Sequence, residues 1–187
     1  MATHDPHHHH GNHHHGGARY RFCPRCAGSL SPRVLKESEP ERLVCDKCSF
    51  IFYQDPKVVA GAVCVLDGGV VLLRRGIEPA MGKWVFPGGY VDRGESTAEA
   101  AVRETREESH LEVVTRSLLG VYSYTGNPNV IIVYVADVVG GELAAGDEST
   151  EAGVFPPARI PWDELAFHST TEALRDFGRL YWPEQMC

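Results

Sequence analysis

Long hydrophobic runs are missing from this 187-residue sequence. No stretch approaches the ~18 consecutive apolar residues that a membrane-spanning helix needs. The first residues are polar and rich in histidine, where a secretory signal would have an apolar centre. The sequence therefore predicts no membrane contact, and we expect a cytoplasmic protein.

Positive charge is also scarce, since 18 Lys and Arg face 25 Asp and Glu, a formal net charge of −7. Proteins that bind nucleic acids generally carry a basic surface, so nucleic-acid binding is not expected. A hydrophobic content of 43% and a charged content of 23% are typical of a globular protein. The length suits one ordinary domain and a small module.

Residues 1–19 contain eight of the ten histidines and show no hydrophobic period. This composition predicts a disordered tail. Two interpretations stay open, a purification tag and a native tail that binds metal ions. Neither interpretation affects the fold of the rest of the chain.

Four of the six cysteines form two pairs, Cys23–Cys26 in CPRC and Cys45–Cys48 in CDKC, with 18 residues between the pairs. Two C-x-x-C motifs at about this spacing are a strong zinc signature. Four thiolates complete the coordination shell and leave no position for water, so the predicted zinc is structural. It would stabilise a small module that has little core of its own.

The alternative for these cysteines is a pair of disulfides, which a cytoplasmic location disfavours. Cys64 lies in an apolar segment and is expected to be a buried core thiol, and Cys187 is given no role. Asp55-Pro56 interrupts local structure and marks the expected boundary. We therefore expect a zinc ribbon over residues 20–54 and a main domain over residues 55–187.

The main domain alternates strand and helix patterns, which predicts an α/β fold of the α/β/α layered type with a mixed sheet. Strands are expected at Val58–Leu66, Val70–Arg74, Leu118–Tyr124, Val130–Val138 and, more briefly, Gly153–Pro156; helices are expected at Ser96–Ser109 and in the segments WDELA and STTEALRDFGRLYW. The segment DGG at residues 67–69 is expected to form a hairpin turn.

The helix at Ser96–Ser109 should begin with a capping box made by Ser96 and Glu99. A stripe of small residues should pack it against the sheet; its members are Ala98, Ala101, Val102 and Thr105. The same helix also carries an unusual density of acidic residues.

Four glutamates lie close together in the segment from residue 88 to residue 111: Glu95, Glu104, Glu107 and Glu108. On a helix the last three share a face, and each like-charge pair costs about 0.2–0.5 kcal/mol. One interpretation is a solvated face on which Arg103 and Arg106 form salt bridges. The other is a divalent cation: the nearby glycines would let a backbone carbonyl approach, and such oxygen ligands suit Mg²⁺ or Mn²⁺. The chemistry would then be metal-assisted attack of water on a phosphate anhydride.

The same segment resembles the Nudix box, G-x5-E-x7-R-E-U-x-E-E-x-G-U, in which U is a bulky apolar residue. The matching residues are Gly89, Glu95, Arg103, Glu104, Glu107, Glu108 and Leu111. Thr105 replaces an apolar residue, and His110 replaces the last glycine. That glycine position favours a left-handed backbone, which histidine reaches at a cost.

The resemblance implies a role for each matching residue. Glu107 and Glu108 would be the chief Mg²⁺ ligands, and Glu104 a further ligand or the base that activates water. Gly89 would offer its carbonyl oxygen, and Arg103 would orient the carboxylates.

Members of the family can also take their base from a downstream loop, for which Glu148 and Glu151 are the candidates here; we expect Glu151 to be catalytic. Glu95 would support the junction between the loop and the helix. Arg74 and Arg75 would face the pyrophosphate, and Trp84 would line the cleft. Other aromatic candidates for stacking on a base are Phe52, Tyr53, Tyr122 and Tyr124.

Nudix hydrolases cleave nucleoside diphosphates linked to another group. A cysteine-rich ribbon ahead of such a domain resembles the NADH pyrophosphatase branch and small ribbon-containing proteins linked to ADP-ribose or FAD. The S-Q-P-W-P-F-P-x-S motif of the NADH branch is missing, and Pro128 gives weak support for ADP-ribose. We expect Mg²⁺- or Mn²⁺-dependent hydrolysis of a small dinucleotide-type substrate, and a homodimer by analogy.

Two other functions stay open. In one, the ribbon and the domain sense a ligand or bind RNA or protein without turnover. In the other, the same chemistry removes nucleotide caps from RNA, which would need a basic groove that the sequence does not show.

Overall fold

The computed structural model describes residues 20–184. The predicted histidine-rich tail, residues 1–19, and Cys187 lie outside the described residues. The chain divides into two compact units, with the division between Asp55 and Pro56. Neither α-helix among residues 20–184 is long and apolar enough to cross a membrane.

The N-terminal unit is a small antiparallel sheet. Its strands are β1 (Leu30–Arg33), β2 (Arg42–Cys45) and β3 (Ile51–Phe52), in the order β1-β2-β3. Tight turns beside the cysteines are stabilised by backbone bonds, such as the Ala27 N–H to the Cys23 carbonyl at 2.9 Å and the Ser49 N–H to the Cys45 carbonyl at 3.0 Å. These turns direct both cysteine pairs to one site.

Over residues 56–184, the second unit contains seven strands and two α-helices. They are β4 (Lys57–Leu66), β5 (Gly69–Arg75), β6 (Trp84–Val85), β7 (Gly88–Tyr90), α1 (Thr97–Ser109), β8 (Leu111–Ser123), β9 (Asn129–Gly141), β10 (Ser149–Phe155) and α2 (His168–Tyr181), with short 3₁₀ helices at Pro157–Arg159 and Trp162–Glu164. The sheet order is β10-β5-β4-β9-β8, with β6 paired to β5 and β7 to β4. Only β4 and β9 are parallel among these pairs, so the sheet is mixed as predicted.

The two helices cover opposite faces of the sheet because alternate strand residues point to opposite sides. One core joins α1 to β4 through Ala101 and Ala62, and the other joins α2 to β4 through Phe177 and Val63. Cys64 is fully buried in the α1 core, as expected, and burial raises the pKa of its thiol to about 12. The predicted α/β/α arrangement is confirmed.

Several local expectations differ from the structure. Strand β8 begins at Leu111, seven residues earlier than predicted, because register shifts interrupt the alternation from which strands are read. Strand β10 begins at Ser149, ahead of the predicted Gly153, and the helix predicted in WDELA is only a short 3₁₀ turn at Trp162–Glu164. The buried residues of α1 are Ala100, Ala101, Thr105 and Ser109, so only two of the four predicted stripe residues are fully buried.

Candidate active site and zinc site

The four ribbon cysteines bring their sulfur atoms together, all within 4.8 Å of one another. The Cys23 and Cys48 sulfurs are 3.8 Å apart, and those of Cys26 and Cys45 are 3.5 Å apart. A disulfide needs about 2.05 Å, so these thiols are not paired as disulfides. A zinc tetrahedron with Zn–S bonds of about 2.3 Å places sulfurs about 3.8 Å apart, so the cluster fits the predicted zinc.

The start of α1 is fixed by the predicted capping box. The Ser96 hydroxyl accepts from the Glu99 N–H at 3.3 Å, and the Glu99 carboxylate accepts from the Ser96 N–H at 2.8 Å. Thr97 is within 2.7 Å of the Tyr134 hydroxyl on β9. The N-terminal end of α1 is thus anchored to the sheet, and this fixes where the glutamates of the helix lie.

The guanidinium of Arg103 hydrogen-bonds to three of the four glutamates. It donates to both oxygens of Glu95 at 2.8 and 2.9 Å, to Glu104 Oε1 at 2.8 Å and to Glu107 Oε2 at 3.1 Å. It also donates to the Tyr90 carbonyl at 3.1 Å, which ties α1 to β7. Each of Glu104 and Glu107 gives only one oxygen to Arg103, and the other oxygen of each stays outside this ion-pair network.

The two glycines of β7 lie against the carboxylates of Glu104 and Glu108. The Gly88 N–H donates to Glu108 Oε2 at 2.9 Å. A Cβ atom on Gly89 would lie 2.5 Å from Glu104 Oε2, closer than van der Waals contact allows. A side chain at residue 89 would therefore displace the Glu104 carboxylate, which explains the physical need for glycine beside this helix.

Burial and crowding perturb the acids of α1. Burial raises the pKa of Glu108 to about 7, helped by the negative charges of Glu104 and Glu148 and opposed by the Gly88 N–H and Arg75. Burial also raises the pKa of Glu104 against the influence of Arg103. By contrast, the hydrogen bonds from Arg103 hold the pKa of Glu95 below its usual value. The acids nearest β7 are thus short of positive charge.

A downstream loop is attached to the end of α1. The Gly146 N–H donates to the Glu108 carbonyl at 2.8 Å, and the Ala144 N–H donates to the Ser109 carbonyl at 3.1 Å. A Cβ atom on Gly146 would lie 2.5 Å from the Glu107 carbonyl oxygen. The loop therefore brings Glu148 close enough for its charge to raise the pKa of Glu108.

Glu151 lies elsewhere. It forms a 2.8 Å ion pair with Arg74, whose guanidinium also lies 5.9 Å from the centre of the Trp84 ring. Along β5, Leu72 and Arg74 share the α2 face, whereas Val71 and Arg75 share the α1 face. The structure therefore does not bring Glu151 or Arg74 together with the glutamates of α1.

Arg75 does lie on the face of α1, where its charge lowers the pKa of Glu108. Its Nε donates to the Pro79 carbonyl at 2.8 Å, and its guanidinium lies 5.1 Å from the centre of the Phe167 ring. These contacts engage its Nε and one face of the guanidinium. Neither contact was expected from the sequence, because Pro79, four residues away, lies in a loop without regular structure and Phe167 lies far along the chain.

Three of the other predicted aromatic residues lie in the second unit, and two lie in the ribbon unit. Trp84 is buried against Phe155, with ring centres 4.8 Å apart. Tyr122 and Tyr124 donate to Asp176 and Glu172 of α2 at 3.0 and 2.5 Å. Phe52 and Tyr53 belong to the ribbon unit, where Phe52 contacts Tyr20 and Tyr53 contacts Arg42.

His110 ends α1 in the left-handed region, with φ 61° and ψ 11°. Its N–H donates to the Arg106 carbonyl at 3.0 Å. The sequence expectation for this position is therefore confirmed. The helix ends in the same way that a glycine would end it.

Two family models match the chain along its length. The NUDIX domain model matches residues 55–177, and a model for a zinc ribbon, described as Nudix N-terminal, matches residues 21–54. The crystal structure of a NUDIX hydrolase from Nitrosomonas europaea superposes with a TM-score of 0.82 and 32% identity, covering 87% of this chain and 93% of that one.

Named relatives agree with these models. An ADP-ribose pyrophosphatase from Methanocaldococcus jannaschii is 39% identical over 138 residues, 72% of this chain and 80% of that protein. An NAD-capped RNA hydrolase, NudC, from Pseudomonas aeruginosa is 27% identical over 132 residues, and the match covers 70% of this chain and 45% of that protein. The chain therefore belongs to the Nudix family of hydrolases, which act on pyrophosphate bonds, and carries the zinc ribbon found at the N-terminus of some members.

Proposed function

We propose that the protein hydrolyses the pyrophosphate bond of ADP-ribose or of a closely related dinucleotide such as FAD or NADH, and releases AMP. The observation that carries the proposal is the placement of Glu104 and Glu108 beside the glycines of β7, with Glu107 linked to Glu104 through Arg103. Arg75 supplies positive charge on the same face of the sheet. Together these groups suit a substrate with two phosphates.

The acids fit Mg²⁺ or Mn²⁺ as the cofactor. All candidate ligands are oxygen atoms: carboxylates of Glu104, Glu107 and Glu108, and the carbonyl of Gly89. Arg103 engages only one oxygen of Glu104 and one of Glu107, and Glu108 is buried with a pKa raised to about 7. A bound cation would relieve this excess of negative charge, and it would polarise a phosphate and acidify water.

Glu148 is the better candidate for the base that activates water. Its loop is bonded to the last turn of α1 through Gly146, and its charge acts on Glu108. Glu151 is paired with Arg74 on the other face of the sheet. Glu104 stays as the second candidate because it lies beside Gly89 and burial raises its pKa.

ADP-ribose is preferred as substrate because the Methanocaldococcus jannaschii relative carries the name ADP-ribose pyrophosphatase and matches over most of both chains. The NudC relative is named for NAD-capped RNA, but this chain covers less than half of it. The excess of acidic residues also disfavours a long RNA partner. The four-cysteine cluster is proposed to hold a structural zinc.

A substrate panel tests the proposal. ADP-ribose, FAD, NADH and NAD-capped RNA are incubated with the full chain and Mg²⁺, and products are separated by chromatography. We expect AMP and ribose 5-phosphate from ADP-ribose, with no cleavage when EDTA replaces Mg²⁺. Binding of ADP-ribose without cleavage under all metal conditions would favour the ligand-sensing alternative.

The same assay separates the two loop glutamates. Glu148→Gln should lower kcat by at least about a hundredfold, within the usual range for loss of a general base. Glu151→Gln is the matched control, since it removes a carboxylate from the same strand region and should keep most activity. The reverse order of effects would return the base to Glu151.

A further inference from the structure

The loop that follows β5, residues 76–82, is held firmly although it has no regular structure. The Arg75 N–H donates to the Lys83 carbonyl at 2.9 Å, and the Gly82 N–H donates to the Arg75 carbonyl at 2.8 Å. The side chains of Arg74 and Arg75 add bonds to the carbonyls of Gly82 at 2.9 Å and Pro79 at 2.8 Å. Both ends and the middle of the loop are therefore fixed to β5.

This fixed loop nevertheless presents two large apolar side chains to the surface. Met81 is 57% exposed and Ile77 is 38% exposed. Isolated exposed apolar residues are common, but here the loop is ordered by polar bonds and not by burial of these side chains. Binding residues are disproportionately carried on loops, so an ordered loop that holds apolar side chains outward is a candidate for ligand contact.

The loop begins beside the catalytic acids. The Gly76 N–H donates to the Glu148 carbonyl at 2.7 Å, and the Glu148 loop is bonded to the Glu108 carbonyl through Gly146 at 2.8 Å. Two backbone hydrogen bonds thus connect the first loop residue to α1. Arg75, directly before the loop, lies 5.1 Å from the centre of the Phe167 ring, so an aromatic side chain lies beside the start of the loop.

We propose that Met81, together with Ile77, forms the apolar surface on which the nucleobase of the substrate packs, while Arg75 and a cation bound by the glutamates would hold the diphosphate. The inference rests on the proposed function and names the residues that recognise the base. A flexible, polarisable methionine suits a flat heteroaromatic ring, and it makes favourable sulfur–aromatic contacts. The loop then sets affinity for the nucleoside half without taking part in the chemical step.

The test compares AMP with ribose 5-phosphate, which differ by the adenine base. Dissociation constants of both are measured by isothermal titration calorimetry with the full chain and Mg²⁺. Met81→Ala should weaken AMP binding by roughly fivefold or more, as loss of a sulfur–aromatic contact implies, and leave ribose 5-phosphate binding unchanged. Met81→Leu, which keeps an apolar side chain, should recover part of the AMP affinity.

Val139→Ala is the matched control, because Val139 on β9 is 63% exposed. It should change neither constant. Equal effects of Met81→Ala on both ligands, an unchanged AMP constant, or a wild-type protein that binds the two ligands equally would each overturn the inference. Because binding is measured without turnover, a protein that binds AMP through Met81 but cleaves no ADP-ribose would refute the proposed function alone.

Discussion

Arg103 and Glu95 form a bidentate ion pair, with Nε to Oε1 at 2.8 Å and Nη2 to Oε2 at 2.9 Å. The pair connects the loop before α1 to the middle of the helix, and the same guanidinium also reaches Glu104 and Glu107. One arginine therefore sets the positions of two proposed cation ligands relative to the loop. A planar fork of donors is needed for this arrangement, and lysine cannot reproduce it.

Arg103→Lys should therefore lower both stability and activity although the charge is kept. Loss of the bidentate geometry should cost about 1–2 kcal/mol of unfolding free energy, since these bonds are charge-assisted and Arg103 is partly exposed. Chemical denaturation and kcat for ADP-ribose measure the two effects. Arg106→Lys, on the exposed side of the same helix, is the control and should change neither by much.

Glu107→Gln tests the proposed cation site directly. The side chain is exposed, so the fold should be unaffected, whereas loss of one carboxylate ligand should lower kcat by about a hundredfold or more. Raising the Mg²⁺ concentration should recover part of the loss. Glu112→Gln on β8 removes an exposed acid outside the cluster and should behave as wild type; a Glu107→Gln enzyme with full activity would end its assignment as a ligand.

Much of the fold could be predicted because local signals agree with the final structure. The capping box of Ser96 and Glu99 and the hairpin at Asp67 are encoded within a few residues, and both are found. Strand β8 was placed too late because its register shifts depend on pairing with β9, which no local pattern reveals.

The candidate site, too, was only partly predictable from local sequence. The spacing of Glu104, Glu107 and Glu108 on one helix follows from 3.6 residues per turn. The choice between Glu148 and Glu151 does not, because it depends on a bulge in β10 and on which face of β5 each partner occupies. Only the assembled sheet shows that Arg74 and Arg75, adjacent in sequence, serve opposite faces.

The cysteine cluster should hold about one zinc ion per chain. Cys23→Ser should lower the measured zinc content and the melting temperature of the ribbon, because metal binding supplies much of the folding energy of so small a sheet. Cys64→Ser serves as the control: it places a hydroxyl in the α1 core and should cost stability without loss of zinc. A wild-type protein free of zinc after purification without chelators would contradict the assignment.

His110→Gly should stabilise the protein. A non-glycine residue with φ 61° has a left-handed backbone that costs about 1–2 kcal/mol, and glycine avoids that cost. Part of the benefit is lost because glycine raises the conformational entropy of the unfolded chain. The net gain in unfolding free energy should be about 0.5–1 kcal/mol, measured by denaturant titration.

His110→Ala keeps the strained backbone and should give no gain, which separates the backbone effect from removal of the imidazole. Equal stabilities for the glycine and alanine variants would mean that the imidazole itself, and not the backbone, decides the end of α1. If the glycine variant is more stable and equally active, the left-handed residue serves only to end the helix, and the site tolerates either residue.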